Sequence, residues 1–435
     1  MALVSGSASS SDVNPDDGGA ASGHVDAPGL RLFVMALFFI FGGITSLNDV
    51  IIPKLKELFT LSYMQAMLVQ TAFFAAYAII SIPATAVVKR VGYMRGAALG
   101  LVTMMAGCLL FIPASASATF GVFLFALFVL ASGVTIVQVV ANPLISLLGP
   151  ARTASSRLTF AQAFNSLGTT LFPYVGTIVI LGSLATVTAA SLSGAELQAY
   201  RIAETEAVKR AYSGLAGALL LIALAVWVNR NKLKGERHGE GSVLASFDLM
   251  RRPRFAFGAI CIFLYVGAEV AIGSLIVNYL MQADVLGLGE QAAGKMIPLY
   301  WGGALIGRFI GSALLRVFSP GKLLAFNAIA AIALLALSTH TTGALSGYSY
   351  LAIGLMNSIM FPTIFSLACE GLGERSADGS GVICVMIVGG AVIPPLTGHL
   401  ADISGHLATA MLLPAACYAI IAAFGWYARR PALPG

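Results

Sequence analysis

The chain has 435 residues, of which 58% are hydrophobic and only 10% are charged, with a mean hydropathy of +0.88. Soluble domains average about 25% charged residues, so this composition excludes an ordinary soluble protein. The formal net charge of +6 would suit a nucleic-acid partner, but the distribution of the basic residues argues for a membrane orientation instead.

Apolar runs long enough to cross a bilayer recur along the whole chain. A helix needs roughly 20 residues to span about 30 Å of hydrocarbon. The sequence therefore predicts an all-α membrane protein in a lipid bilayer. Its twelve transmembrane helices, called spans 1 to 12 here, lie at about 31–52, 64–87, 96–114, 119–147, 157–183, 211–229, 254–281, 292–315, 321–339, 346–369, 379–401 and 406–428.

The basic residues divide unevenly between the two sides of the predicted membrane. With the amino terminus placed inside, eighteen of the 25 Lys and Arg residues fall in the tails and even-numbered connections. Six fall on the other side, and Arg308 lies within a span. Because cytoplasmic loops carry an excess of Lys and Arg, we predict that both termini are cytoplasmic and that no nucleic acid is bound.

The remaining sequence features argue against a signal peptide, an enzyme active site, disulfides and metal sites. Residues 1–28 are rich in Gly, Ser, Ala and Asp and lack the apolar core of a cleavable signal, which predicts a disordered cytoplasmic tail. No GxxxxGK[ST], HExxH or GxSxG motif occurs, so we expect neither ATP-driven transport nor an enzyme. We expect no disulfide, metal or cofactor, because the five cysteines lie in apolar spans without metal spacing: Cys108, Cys261, Cys369, Cys384 and Cys417.

The longest polar interval between spans, residues 230–253, divides the chain six and six. We predict six-helix bundles over 29–229 and 254–435, joined by a cytoplasmic linker over 230–253. Parallel six-span repeats are the layout of transporters that rock around a central site; a channel is the alternative, but we find no pore-loop filter. Three pairs of similar segments support the division: 89–95 with 316–322, 141–150 with 360–373, and 172–176 with 394–398.

Span 1 contains a carboxylate in an apolar segment. Asn48 and Asp49 lie in GGITSLNDVIIPKLKEL, and the apolar run continues through Val50, Ile51 and Ile52. An intramembrane carboxylate is costly and usually functional. We therefore expect Asp49 to face a water-filled cavity and exchange a coupling cation, although the helix could instead end early and expose it to bulk water.

Spans 4 and 5 each carry amides on one helix face. Gln138 and Asn142 are spaced i, i+4, and Gln162, Asn165 and Ser166 are spaced i, i+3, i+4. These side chains could bind a polar solute, or they could hydrogen-bond neighbouring helices.

Span 7 contains Glu269, which we expect to bind substrate or the coupling cation. Asn278 lies nine residues on and faces the opposite side of an unbroken helix. Gly267 and Gly273 would permit a break that turns both residues toward one cavity. Arg308 in span 8 could pair with Glu269, snorkel, or brace an inner gate.

The second half supplies further candidates for substrate contacts. Asn357 and Phe361 are spaced i, i+4 in span 10, at the positions that match Gln138 and Asn142 in the repeat. Tyr265, Trp301 and Phe361 are aromatic groups that could stack on a ligand or simply pack. The matched inner loops carry basic residues that we expect to brace the closed inner gate: Lys89, Arg90, Arg95, Arg316 and Lys322.

Four segments around these residues resemble one transporter family. FGGITSLNDVIIPKLK, VQVVANPLISLLG, YVGAEVAIGSLIVNYL and MFPTIFSLACEGLG resemble the fucose:proton symporter family of the major facilitator superfamily, nearest its glucose/galactose branch. The resemblance covers nearly the whole chain beyond residue 30. It implies the major facilitator fold and cation-coupled uptake of a monosaccharide across the bacterial inner membrane, by a protein that acts as a monomer.

The resemblance also bears on the coupling ion. The position of Asp49 is a coupling acid in that family, whereas a second acid of the fucose member corresponds to Gln138, which cannot titrate. Asp49 alone could carry a proton, or Asp49 and Glu269 could bind sodium. We favour the proton, because no further carboxylate lies near span 1 to complete a sodium shell.

Several other functions fit parts of the sequence. The sugar could be fucose or N-acetylglucosamine, or the chain could export drugs or metabolites. The amides on spans 4, 5, 7 and 10 suit a polyhydroxylated solute better than the broad apolar cavity of an exporter. A receptor that binds without transport is a further alternative, but the repeated basic inner loops favour a gated transporter.

The lone carboxylate of span 1 generates a direct test. We expect Asp49→Asn to abolish accumulation of sugar against a gradient while leaving equilibrium exchange partly intact, because the amide cannot carry the coupling cation. Uptake and counterflow in proteoliposomes measure the two activities. A variant that still concentrates sugar would contradict the coupling role.

Overall fold

The structure, a computed structural model, describes residues 28–59, 63–176, 192–231 and 243–430. The tail predicted over residues 1–28 lies outside these ranges except for Pro28, as do residues 232–242 of the predicted linker. All regular structure in the described part is helical. Its α-helices are α1 (Pro28–Leu58), α2 (Tyr63–Val91), α3 (Tyr93–Ser117), α4 (Phe120–Leu147), α5 (Ala154–Gly176), α6 (Gly194–Val228), α7 (Pro253–Met281), α8 (Glu290–Gly294), α9 (Ile297–Leu314), α10 (Pro320–His340), α11 (Gly343–Asn357), α12 (Met360–Ala368), α13 (Ser376–Met386), α14 (Gly389–Ser404), α15 (Leu407–Ala410) and α16 (Leu412–Tyr427).

These helices correspond to the twelve predicted spans. Within the described residues, ten helical segments are long and apolar enough to cross a membrane. The other two predicted spans, 157–183 and 292–315, correspond to α5 and to α8 with α9. The spans form two six-helix bundles, α1–α6 and α7–α16, which confirms the predicted fold class.

Span 10 is broken in its middle. Helix α11 ends at Asn357 and α12 begins at Met360. Pro362 has no backbone N–H, so it cannot donate the helical hydrogen bond to the carbonyl of Ser358, four residues earlier. The break therefore leaves backbone carbonyls near Ser358 that need donors from other helices.

The break predicted in span 7 is wrong. Helix α7 runs without interruption from Pro253 to Met281. Its glycines serve close packing instead: a methyl group at Gly267 would collide with the Ile393 side chain, and one at Gly273 would lie 3.2 Å from the Trp301 ring. Small residues at helix interfaces let helices approach closely in lipid, where apolar surfaces alone do not drive association.

One side of the molecule carries both ends of the described chain, and we call it the termini side. Here Arg31, near the start of α1, donates to the Leu148 carbonyl after α4 at 3.0 Å. Ser319, just before α10, donates to the Arg429 carbonyl after α16 at 3.1 Å. These contacts place the ends of α1, α4, α10 and α16 together, as the predicted alternation of the spans requires.

The two bundles meet along a seam that lies toward the termini side. It is formed by α2, α4 and α5 of the first bundle with α9, α12 and α13 of the second. Ser155 and Ser366 face each other at 2.5 Å between their hydroxyl oxygens. Ser156 donates to the Ser312 carbonyl at 2.7 Å. Both of these hydrogen bonds join the first bundle to the second.

The opposite side is held together within each bundle separately. Arg201 of α6 donates to the Leu58 carbonyl of α1 at 2.8 Å, within the first bundle. The Gly343 amide donates to the Asp284 carbonyl at 2.9 Å, within the second. The bundles are therefore in contact on the termini side, whereas these two hydrogen bonds on the other side lie within single bundles.

Candidate functional site

Two amides on α4 lack partners inside the first bundle. Asn142 is 0% exposed, and neither its Nδ2 nor its Oδ1 has a hydrogen-bond partner in the part of the chain that the structure describes. The buried Oε1 of Gln138, one turn earlier on the same face, is also unpartnered there. A buried amide without partners costs about 1–3 kcal/mol, so this helix face is built to meet a polar group that is not its own.

The polar stripe on α5 contributes mainly to helix contacts. Asn165 donates from Nδ2 to the Phe38 carbonyl of α1 at 3.3 Å, and its side chain occupies the space beside Gly42. Ser166 accepts a hydrogen bond from Arg308 of the other bundle. Gln162 is buried, and its backbone carbonyl accepts from the same guanidinium at 3.1 Å.

Asn357 of α11 is a fully partnered amide. Its Nδ2 donates to the Tyr300 hydroxyl at 2.8 Å, and its Oδ1 accepts from the Tyr418 hydroxyl at 2.7 Å. Its backbone carbonyl, freed by the break in span 10, accepts from the Tyr265 hydroxyl at 3.0 Å. The side chain is 0% exposed, so in this conformation Asn357 holds the second bundle together.

Glu269 lies half-buried on α7 beside this network. Tyr265 and Arg308 are the polar and charged neighbours that act on its carboxyl. Glu269 and Arg308 nevertheless form no ion pair within 4.0 Å. Arg308 is occupied by neutral acceptors instead, among them the Ser358 carbonyl at 3.3 Å from Nε. The predicted Glu269–Arg308 pair is absent in this state, and Arg308 bridges the seam.

The aromatic candidates differ in their surroundings. Trp301 is 43% exposed, packs edge-on to Tyr300 and lies over Gly273 of α7. Phe361 is almost buried and stacks with Phe365. Asn278 is exposed near the end of α7, and the unbroken helix separates it from the face of Glu269. Trp301 is thus the aromatic candidate with the most surface available to a ligand.

Asn48 and Asp49 belong to the backbone of α1, but their side chains lie outside the described part of the structure. Their predicted roles in binding and coupling therefore stay predictions.

The predicted gate residues fall into two groups. Lys89 pairs across the seam with Asp378 of α13, at 3.1 Å from Nζ to Oδ1. Arg316 donates across the seam from Nε to the Ser156 hydroxyl at 3.4 Å. The other three lie exposed on the termini side: Arg90, Arg95 and Lys322.

The sequence analysis missed Asp378, the acceptor at the centre of this gate. Its carboxylate, 3% exposed, also accepts from Ser246 Oγ at 2.9 Å and from Arg375 Nε at 3.2 Å. Ser246 belongs to a 3-10 helix, Val243–Arg251, at the end of the linker. The signal available in the sequence was an acid directly before the predicted start of span 11, where a helix N-terminus favours negative charge; in the structure it lies in the first turn of α13.

The linker is tied to the same point by a second ion pair. Arg375 donates from Nη2 to Asp248 Oδ1 at 2.6 Å and from Nη1 to Oδ2 at 3.1 Å. The hydrogen bond from Arg375 lowers the pKa of Asp248, outside the spans. The 3-10 helix of the linker is therefore docked where the two bundles meet.

Comparison with known proteins agrees with this architecture. The Major Facilitator Superfamily model matches residues 34–387. The chain is 48% identical over 390 residues to the "Glucose/galactose transporter" of Brucella abortus biovar 1 (strain 9-941), covering 89% of this chain and 91% of that protein. It is 32% identical over 397 residues to the "L-fucose-proton symporter" of Escherichia coli (strain K12), covering 89% and 90%.

A solved structure shares the same fold. The crystal structure of the transporter FucP "in the outward conformation" superimposes with a TM-score of 0.85 at 31% identity, covering 93% of this chain and 99% of that one. Two pseudo-symmetric helical bundles joined by a polar seam define a secondary-transporter architecture. The chain belongs to the Major Facilitator Superfamily, and the resemblance to its fucose symporter family and glucose/galactose branch is confirmed.

The contrast between Asn142 and Asn357 generates a stability test. Asn142→Leu should leave the melting temperature of the purified protein unchanged or raise it, because it removes an unpartnered buried amide of similar size. Asn357→Leu should lower it, since two tyrosine hydroxyls lose their partner at about 1 kcal/mol each or more. Thermal unfolding in one detergent measures both, and equal losses would mean that Asn142 is paired in solution.

Proposed function

We propose that this chain imports a monosaccharide, with glucose and galactose as the first candidates, by symport with a cation. The observation that carries the proposal is the 48% identity to a relative named "Glucose/galactose transporter" over nine-tenths of both chains. We further propose that it acts as a monomer in a bacterial inner membrane, with both termini in the cytoplasm.

The unpartnered amides support a sugar as the ligand. Gln138 and Asn142 offer acceptors and donors that no described side chain satisfies, and sugar hydroxyls both donate and accept hydrogen bonds. Trp301 offers an exposed ring of the kind that packs against the C–H face of a sugar. Small-molecule sites commonly combine apolar and aromatic walls with a few placed polar groups.

The position of the seam supports an alternating-access mechanism. If the termini side is cytoplasmic, the present contacts between the bundles close the inner gate. Transport then requires the hydroxyl pairs and the Lys89–Asp378 pair to separate. The hydroxyl pairs are contacts of modest strength, and Asp378 keeps Ser246 and Arg375 as donors when Lys89 leaves it, so a rocking motion can break these contacts in turn.

A proton is our preferred coupling ion. The Escherichia coli relative is named a proton symporter, and Asp49 supplies a carboxylate in span 1. Since Gln138 cannot titrate, we propose that Asp49 is the main proton carrier. Uptake should then fall as the external pH rises. If sodium is the driver instead, sugar affinity should rise with sodium at fixed pH, because coupling between two ligands is reciprocal.

The test is transport by the purified chain in proteoliposomes. Uptake of labelled glucose, galactose, mannose, fucose and N-acetylglucosamine is measured with a proton gradient, a sodium gradient, or neither imposed. We expect glucose or galactose to accumulate with the proton gradient alone. Sodium-driven accumulation without a proton gradient would overturn the choice of ion, and a preference for fucose or N-acetylglucosamine would change the substrate. Efflux of hydrophobic dyes with no sugar uptake would favour an exporter.

The amides of α4 provide a residue-level prediction. Gln138→Ala and Asn142→Ala should each weaken sugar binding by about 2- to 12-fold, the equivalent of one hydrogen bond of about 0.5–1.5 kcal/mol. Affinity is measured on protein whose melting temperature matches the parent. Thr103→Ala is a matched control, because its hydroxyl bonds only to the Leu99 carbonyl of its own helix. Unchanged affinity in both amide variants would assign them to helix packing.

A further inference from the structure

The guanidinium of Arg308 joins three spans in the seam, namely its own helix α9, span 10 and α5. Nε donates to the Ser358 carbonyl at the break in span 10, at 3.3 Å. Nη1 donates across the seam to the Gln162 carbonyl at 3.1 Å and to the Ser166 hydroxyl. Nη2 has no hydrogen-bond partner among the described residues. In the part of the chain that the structure describes, the hydrogen bonds of this permanent positive charge all go to neutral oxygens.

This arrangement depends on the closed seam. The Ser358 carbonyl belongs to the same bundle as Arg308 and moves with it, but Gln162 and Ser166 belong to the other bundle. When the bundles separate on the termini side, Arg308 loses both acceptors of α5. An unpaired intramembrane charge is costly, so the guanidinium needs a replacement partner within its own bundle.

Glu269 is the available partner. It lies on α7 of the same bundle, where its backbone carbonyl accepts from the Tyr300 hydroxyl of α9, the helix that carries Arg308, at 3.5 Å. No ion pair joins the two side chains while Arg308 binds α5. Asp378, the other buried acid of the seam, is already bound by Lys89, Ser246 and Arg375 at the termini end of α13.

We propose that Arg308 exchanges partners during the conformational cycle: it binds α5 when the seam is closed and pairs with Glu269 when the seam opens. The exchange makes Arg308 a positioning residue, because the opening or closing of the seam then decides whether Glu269 is available in the ligand cavity. In the closed-seam state Glu269 is free to bind substrate, and in the open-seam state it is withdrawn. The consequence for sugar, that affinity falls on the termini side and release is favoured, rests on the proposed function.

The exchange can be tested without sugar, so its outcome is independent of the transport assay. Ser312 is buried in the seam, where its hydroxyl donates to the Ser156 carbonyl at 3.2 Å. The thiol introduced by Ser312→Cys should react with a membrane-permeant maleimide only when the seam opens. The labelling rate in full-length protein, corrected for the chain without this substitution, therefore measures the open fraction.

The signs of the expected changes distinguish the exchange from simple bracing. Ser166→Ala should raise the labelling rate, by roughly 10- to 150-fold for one hydrogen bond to a charged donor of about 1.5–3 kcal/mol. Glu269→Gln should lower it, because the open state loses its ion pair. Thr170→Ala, on the same helix but bonded only to the Ser166 carbonyl, should leave it unchanged.

A double variant completes the test. In the Arg308→Gln background, Glu269→Gln should no longer change the labelling rate, since the partner charge is gone. If Arg308→Gln does not fold, Arg308→Lys replaces it; the ammonium keeps the charge, so Glu269→Gln must still lower the rate. The proposal is overturned if Glu269→Gln leaves the rate unchanged or raises it in the parent, if its effect persists in Arg308→Gln, or if it vanishes in Arg308→Lys.

Discussion

The structure depends on a seam that must hold two helical bundles together and still be able to open. In lipid, apolar helix surfaces gain little from meeting each other, so association relies on close packing and polar contacts. This seam uses serine hydroxyl pairs, one lysine–aspartate pair and the guanidinium groups of Arg308 and Arg316 bound to neutral oxygens. A seam of many modest contacts can close firmly and yet separate, but the deep charge of Arg308 then needs a replacement partner within its own bundle.

The seam also follows the internal repeat. Spans 2 and 8 are equivalent positions in the two halves, as are spans 5 and 11. The contact of α5 with α9 is therefore the symmetry mate of the contact of α2 with α13, and both are extensive. The side chains differ, however: Arg308 bridges the first contact deep in the membrane, whereas Lys89 and Asp378 bridge the second near its edge. The two contacts thus join equivalent helices but use different polar side chains at different depths.

The spans, the two bundles and the family could be predicted because they rest on composition, run length and short motifs that the chain displays in order. The partners of the deep polar residues could not. Gln138 and Asn357 occupy matched positions in the repeat, yet Gln138 keeps an unpartnered oxygen while Asn357 is enclosed by Tyr300 and Tyr418. Those tyrosines come from α9 and α16, and nothing in the local sequence of span 10 indicates that they lie nearby.

The break expected at the glycines of α7 was wrong for a related reason: in lipid an interrupted helix must find other donors for its backbone. The glycines instead admit Ile393 and Trp301 from neighbouring helices.

The need to provide a donor for every free backbone carbonyl also explains where span 10 does break. Three successive carbonyls at the end of α11 receive donors from three different helices: Met356 from Asn327, Asn357 from Tyr265, and Ser358 from Arg308. The first two donors are neutral groups of the second bundle and are independent of the seam. The third donor, Arg308, is charged and also donates to α5, so this one side chain links the break in span 10 to the other bundle. The second bundle therefore commits Asn327, Tyr265 and Arg308 to supporting this break, whereas the amides of α4 in the first bundle have no such task and lack partners among the described residues. The two halves differ in this way because span 10 is interrupted at Pro362, whereas α4 continues through Pro143. The uninterrupted helix presents unpartnered amides, and the interrupted one needs donors for its free carbonyls.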